Sequence, residues 1–143
     1  MKAIQILLVE DNEGDILLTT EALEEAKISN EVKVLRDGEQ AIQYLDKLKN
    51  ASAQKLPDLM LLDVNLPRRN GHEVLAHIKN DRLLQKIPVI MLTTSSSSKD
   101  IDLAYKEHVN CYIVKPVEAA SFLEMVNSIE DFWFSIVKLP SKS

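Results

Sequence analysis

The chain has 143 residues, the size of one ordinary domain with a single real core. Apolar residues make up 45% and charged residues 27%, the balance of a globular protein rather than a disordered or fibrous one. With 17 Lys and Arg against 22 Asp and Glu, the net charge is −5 and no dense basic cluster occurs, which argues against nucleic-acid binding.

No apolar stretch approaches a membrane span, and the amino terminus lacks a signal-peptide pattern, so no membrane association and a cytoplasmic location are expected. The single cysteine, Cys111, cannot form an internal disulfide and sits inside an apolar run, where it reads as a small buried hydrophobe.

Apolar runs alternate with segments of helical periodicity, the pattern of βα units on a parallel sheet. Strand one covers roughly 4–9, followed by a helix over about 14–27 with Ile16, Leu17, Leu23 and Ala26 on one side. Strand two, about 32–36, alternates apolar and polar residues and reads as an edge strand. A second helix over about 38–48 places Ala41, Ile42, Leu45 and Leu48 at helical spacing, and a polar loop at 50–54 leads to Pro57 and strand three.

Gly71 opens a third helix with Val74, Leu75 and Ile78 as its stripe. Strand four begins at Ile87-Pro88, and the serine run 95–98 reads as a loop with a helix cap. A short polar helix over about 99–108, a short strand five and a final helix over about 118–137 complete five βα units. Two edge-like strands, the second and the fifth, give the sheet order 2-1-3-4-5 in a doubly wound α/β fold.

Four runs end on chemically distinct polar residues. Strand one ends on Glu10-Asp11, strand three on Asp63, strand four on Thr93, and strand five on Lys115-Pro116. In a parallel sheet these groups meet at the carboxyl edge, where open α/β sheets bind ligands. Three clustered carboxylates repel one another unless a cation intervenes, and an all-oxygen donor set without Cys or His points to Mg²⁺. A hydroxyl and an amine beside such a site are natural partners for a phosphoryl group.

These motifs, Leu8-Val9-Glu10-Asp11-Asn12, Asp63-Val64-Asn65-Leu66-Pro67 with Gly71, Leu92-Thr93-Thr94-Ser95 and Val114-Lys115-Pro116, resemble those of the receiver domains of two-component response regulators over about residues 3–137. The segments 109–112 and 129–133 are similar to single-domain regulators that partner cyanobacterial phytochrome kinases. The resemblance implies that Asp63 accepts a phosphoryl group from a phosphohistidine of a sensor histidine kinase. It implies Mg²⁺ on Asp11, Asp63 and the backbone carbonyl of Asn65, with Glu10 acting through a water, and Lys115 on the phosphoryl oxygens.

Thr93 is then expected to bind the phosphoryl oxygen and Tyr112 to change rotamer in step, with a cis Lys115-Pro116 bond. The chain is expected to be a signalling switch rather than an enzyme acting on an external substrate. Thr94 stands where many members carry a smaller residue, which implies slower loss of the phosphoryl group. Only six residues follow position 137, so the expectation is a single receiver domain without an output domain, acting on a downstream protein target or a histidine phosphotransfer protein.

The remaining candidates read more plainly. His72, His77 and His108 show no sign of converging, and His72 and His77 read as helix-surface residues. Tyr44 and Tyr105 read as packing or surface aromatics. On the final helix, Phe122, Met125, Val126, Ile129, Trp133, Ile136 and Val137 form one stripe, and Leu123, Phe132 and Phe134 widen the apolar arc to about 200°. That surplus predicts a partner or homodimer contact.

Two rival readings fit less well. A flavodoxin-like cofactor binder needs a phosphate-binding loop where Glu10-Asp11-Asn12-Glu13 stands. An aspartyl phosphohydrolase usually carries an Asp where Asn65 stands.

Overall fold

The computed structural model describes residues 3–26, 28–52, 55–94, 102–103, 106, 109 and 111–128. Five strands, β1(Ile4–Val9), β2(Asn30–Leu35), β3(Leu59–Asp63), β4(Val89–Thr93) and β5(Cys111–Val114), form one parallel sheet in the order β2-β1-β3-β4-β5. β3 and β4 are buried at every position, as continuous apolar runs require when helices cover both faces. β2 alternates between half-buried and exposed over its first four residues, which fits its place at the edge.

Alternation of side chains sorts the core into two layers. Ile4, Ile6 and Leu8 of β1, with Leu59, Leu61, Ile90, Leu92 and Ile113, pack against α1(Glu13–Glu25) and α4(Ala119–Ser128) through Ile16, Leu23, Phe122 and Val126. Leu7 and Val9, with Met60, Leu62, Val89 and Met91, pack against α2(Gly38–Ala51) and α3(Gly71–Lys79) through Leu45, Val74, Leu75 and Ile78. Each fully buried Leu or Ile in these layers contributes about 1.5–3 kcal/mol of burial free energy.

Three helices start on side-chain caps. Asn12 accepts from the Asp15 N–H (2.8 Å), Asp37 accepts from the Gln40 N–H (2.7 Å), and Asn70 and Glu73 form a reciprocal capping box. The capped starts fix where each helix leaves the sheet edge.

Several details differ from the sequence reading. β2 begins two residues early because Asn30 pairs with Ile4 and its side-chain amide donates to the carbonyls of Leu23 and Ile28. α2 runs on to Ala51, and β4 starts at Val89, after the proline that cannot donate to the ladder. Leu17, expected on the inner side of α1, is 58% exposed; the buried set Ile16, Thr19, Ala22 and Leu23 turns position 17 about 100° away from the sheet.

His72 is not a plain surface residue, since both its ring nitrogens are buried. His77 lies on the α2–α3 face with Nε2 2.9 Å from Asp46 Oδ1. Tyr44 packs half-buried against the second layer beneath the Lys33 ammonium. Of the helix expected at 99–108, Asp102, Leu103 and Lys106 are helical and the rest lies outside the described residues, as do His108, Tyr105 and the 129–137 part of the final helix with Phe132, Trp133 and Phe134.

Two glycines fit where no other residue would. A Cβ on Gly71 would lie 2.3 Å from the carbonyl oxygen of Asp63, and one on Gly38 would lie 1.9 Å from that of Arg69. Gly71 thus lets α3 start directly against the end of β3. Gly38 lets the first turn of α2 rest on the β3–α3 loop, where its N–H donates to the Pro67 carbonyl (3.3 Å). That loop holds Arg68 at φ 70°, the left-handed region.

Gly38→Ala is expected to cost about 1–3 kcal/mol, because the backbone it meets must move. The loss will appear as a lower urea midpoint with an unchanged slope. A variant as stable as wild type would show that this contact is not tight.

Candidate functional site

The strand register builds the site. Val9 of β1 is level with Leu62 of β3, Asp63 is level with Leu92 of β4, and Thr93 is level with Val114 of β5. Glu10, Asp63, Thr93 and Lys115 therefore all stand at the carboxyl edge. Backbone bonds hold them there: Glu10 N–H donates to Leu35 (3.0 Å), Val64 N–H to Leu92 (2.9 Å), and Lys115 N–H to Thr93 (2.7 Å). The Lys115-Pro116 peptide is cis.

At the centre is the Lys115 ammonium. It lies 2.8 Å from Glu10 Oε1, 2.8 Å from Asp15 Oδ2 and 3.1 Å from Asp63 Oδ1. The side chains of Lys115, Glu10 and Asp63 are 6%, 0% and 4% exposed, so the pairs are strongly coupled and little screened. The second Glu10 oxygen, Oε2, accepts the Asn12 N–H at 3.2 Å.

Burial and the neighbouring Glu10 charge push the Asp63 carboxyl up to about 6, while Lys115 pulls in the opposite sense. Burial works against the charge of Lys115, but Asp15, Glu10 and Asp63 outweigh it and raise its pKa.

Asp11 is exposed at the rim, and carboxylate oxygens of Glu10, Asp11 and Asp63 lie within 4.8 Å of one another. Three carboxylates, Glu10, Asp15 and Asp63, contact the one ammonium, and Asp11 lies beside two of them. Oxygen donors at this spacing, with an excess of negative charge, fit a hard divalent cation.

Thr93 ends β4 with its residue buried, and Thr94 beside it is exposed. Tyr112 lies in β5 level with Met91, packed half-buried against the second core layer. Asn65 is exposed in the loop after β3. Glu10, Asp11, Asp63, Thr93 and Lys115, read from the sequence, thus stand at one edge, and one more residue joins them. Asp15, on the first turn of α1, was missed because an acidic residue there is ordinarily a complement to the helix dipole.

Comparison with known proteins agrees with this geometry. The response regulator receiver domain matches residues 6–127. Response regulator Rcp1 of Synechocystis sp. is 43% identical over 136 residues, covering 95% of this chain and 92% of that protein.

Among solved structures, the phosphorylated cyanobacterial phytochrome response regulator RcpA is 46% identical with a TM-score of 0.75, covering 97% of this chain and 99% of that one. The Mn²⁺-bound form of Rcp1 is 42% identical with a TM-score of 0.73, covering 96% and 99%. With the fold, the strand-end residues and the acidic cluster all in agreement, the chain belongs to the response regulator receiver domain family.

Proposed function

We propose that this protein is a phosphoryl-operated switch whose acceptor is Asp63. The observation that carries the reading is a buried carboxylate beside the Lys115 ammonium and clustered with the Glu10-Asp11 pair at the sheet edge. In the transfer, an Asp63 carboxylate oxygen attacks the phosphorus of a phosphohistidine on a partner sensor histidine kinase. The new O–P bond forms as the P–N bond breaks, and the leaving imidazole takes up a proton. Lys115 meets the charge on the transferred oxygens, and its burial makes that interaction stronger than in water.

Asp11, Asp63 and the Asn65 backbone carbonyl would hold Mg²⁺. Glu10 would act through a water, in keeping with both of its oxygens already accepting from Lys115 and the Asn12 N–H. Bound there, Mg²⁺ supplies positive charge that offsets the negative charge of the phosphoryl oxygens. The Thr93 hydroxyl then donates to a phosphoryl oxygen, and Tyr112 changes rotamer, altering the surface around β5. One added dianionic group is enough to bias a two-state element of this kind.

The description of RcpA as a phytochrome response regulator supports a phytochrome-type kinase as the partner. The signal passes on through protein contacts in the cytoplasm, to a target or to a phosphotransfer protein. The apolar surplus of Phe132 and Phe134 in the sequence favours a second copy of the chain as one such contact.

A small-molecule phosphodonor with Mg²⁺ should add one phosphate by mass spectrometry. Modification that persists in Asp63→Asn, or in chelator, would overturn the reading.

The electrostatics of Asp63 generate a second expectation. Its folded pKa is raised from 3.8 to about 6, so the folded state binds the proton more tightly than the unfolded state. The stability this confers is present in full below pH 3.8 and is lost as the pH rises to about 6. In chelator, Asp63→Asn should therefore melt several degrees above wild type at neutral pH, with a smaller gain as the pH falls from about 6 toward 3.8. An equal gain across that range would contradict the cause assigned here.

Thr94 gives a third. Trimming it in Thr94→Ala opens water's approach, and phosphoryl loss should accelerate severalfold in a decay assay; an unchanged half-life would remove Thr94 from the account.

A further inference from the structure

Lys115 is engaged more fully than pairing with Asp63 requires. An ammonium has three N–H donors. Among the described residues it donates to Glu10 Oε1 and Asp15 Oδ2, both at 2.8 Å, and Asp63 Oδ1 is a third ion-pair partner at 3.1 Å. The oxygens of a phosphoryl group on Asp63 would compete with these three carboxylates for the ammonium, so one existing contact must loosen.

The three are not equal. Glu10 is fully buried, and releasing it would leave an uncompensated charge inside the protein. Asp63 carries the new group and stays adjacent. Asp15 lies outside the Glu10-Asp11-Asp63 cluster, its side chain is 27% exposed, and it sits on the first turn of α1. It can turn to water at little cost, and its charge remains favourable at the amino end of the helix.

We propose that Asp15 is a latch on Lys115: in the unphosphorylated protein it occupies the donor that the phosphoryl oxygen needs, and it restrains phosphorylation until it is displaced. Its negative charge adds to this restraint, because it repels an anionic phosphodonor approaching the same edge. The bond also ties the first turn of α1 to the segment after β5, so displacement releases a link between two segments that flank the site. Asp15 is thus a positioning residue that acts through Lys115, and the inference rests on Asp63 being the acceptor.

The test is the second-order rate constant for phosphorylation by acetyl phosphate at saturating Mg²⁺, in wild type, Asp15→Asn and Asp15→Ala. Both variants should be faster by about 1.5- to 5-fold, the effect of freeing one partly exposed charge pair. Mg²⁺ affinity, measured by titration calorimetry, should stay within about twofold, because Asp15 is outside the metal cluster. Asp15→Glu, which can still reach the ammonium, should be slower than Asp15→Asn.

A purely structural role would lower the melting temperature of the variants without accelerating the reaction. Rates equal to or below wild type in both Asn and Ala variants overturn the latch. Asp63→Asn, run in parallel, separates the two ideas. If wild type is not modified at Asp63, the reading and the latch fall together. If it is modified and Asp15→Asn is no faster, only the latch falls.

Discussion

The site depends on a buried ion pair, Lys115 with Glu10, whose side chains are 6% and 0% exposed. Taking two such charges out of water costs several kcal/mol each, and their attraction offsets that only when each finds further partners. Here they do: Glu10 accepts from the Asn12 N–H, and Lys115 donates on to Asp15 and pairs with the Asp63 carboxylate. The pair also joins residues 105 positions apart, tying the end of β1 to the end of β5 across β3 and β4. Replacing either member would leave its partner charged and buried, so the pair holds the edge together as a unit.

That pair leaves a residual imbalance. Three carboxylates contact a single ammonium, with Asp11 beside the cluster, and Asp63, buried and next to the Glu10 charge, holds its proton more tightly than an ordinary aspartate. A divalent cation and a phosphoryl group act on this imbalance in opposite directions. One lowers the negative charge that the edge must tolerate, and the other adds to it. On the proposed reading, a site arranged this way responds to both.

Much of this was legible in the residues themselves. Continuous apolar runs ending on Glu10, Asp63, Thr93 and Lys115 identified buried parallel strands and the polar residues at their carboxyl ends, because both-face burial and strand-end placement leave marks in a sequence. The inward face of α1 was harder. Leu17 and Leu18 are as apolar as Ile16 and Leu23, and only packing decides which of them point at the sheet. Asp15 was invisible for a related reason: nothing local distinguishes a carboxylate that complements a helix terminus from one that reaches a lysine 100 residues away. The close approaches at Gly38 and Gly71 likewise depend on where a distant loop lies.

The stagger of the strand ends has a consequence for how such a chain tolerates length changes. Side chains alternate along every strand, so the register that places Thr93 level with Val114 also decides which way Lys115 points. A single residue inserted within β5 would keep its apolar composition nearly intact. It would nonetheless exchange the layers that its side chains enter and carry the lysine off the acidic cluster. Hydrophobicity alone would register almost no change, yet the chemistry would be gone. Spacing, more than composition, is what this edge requires.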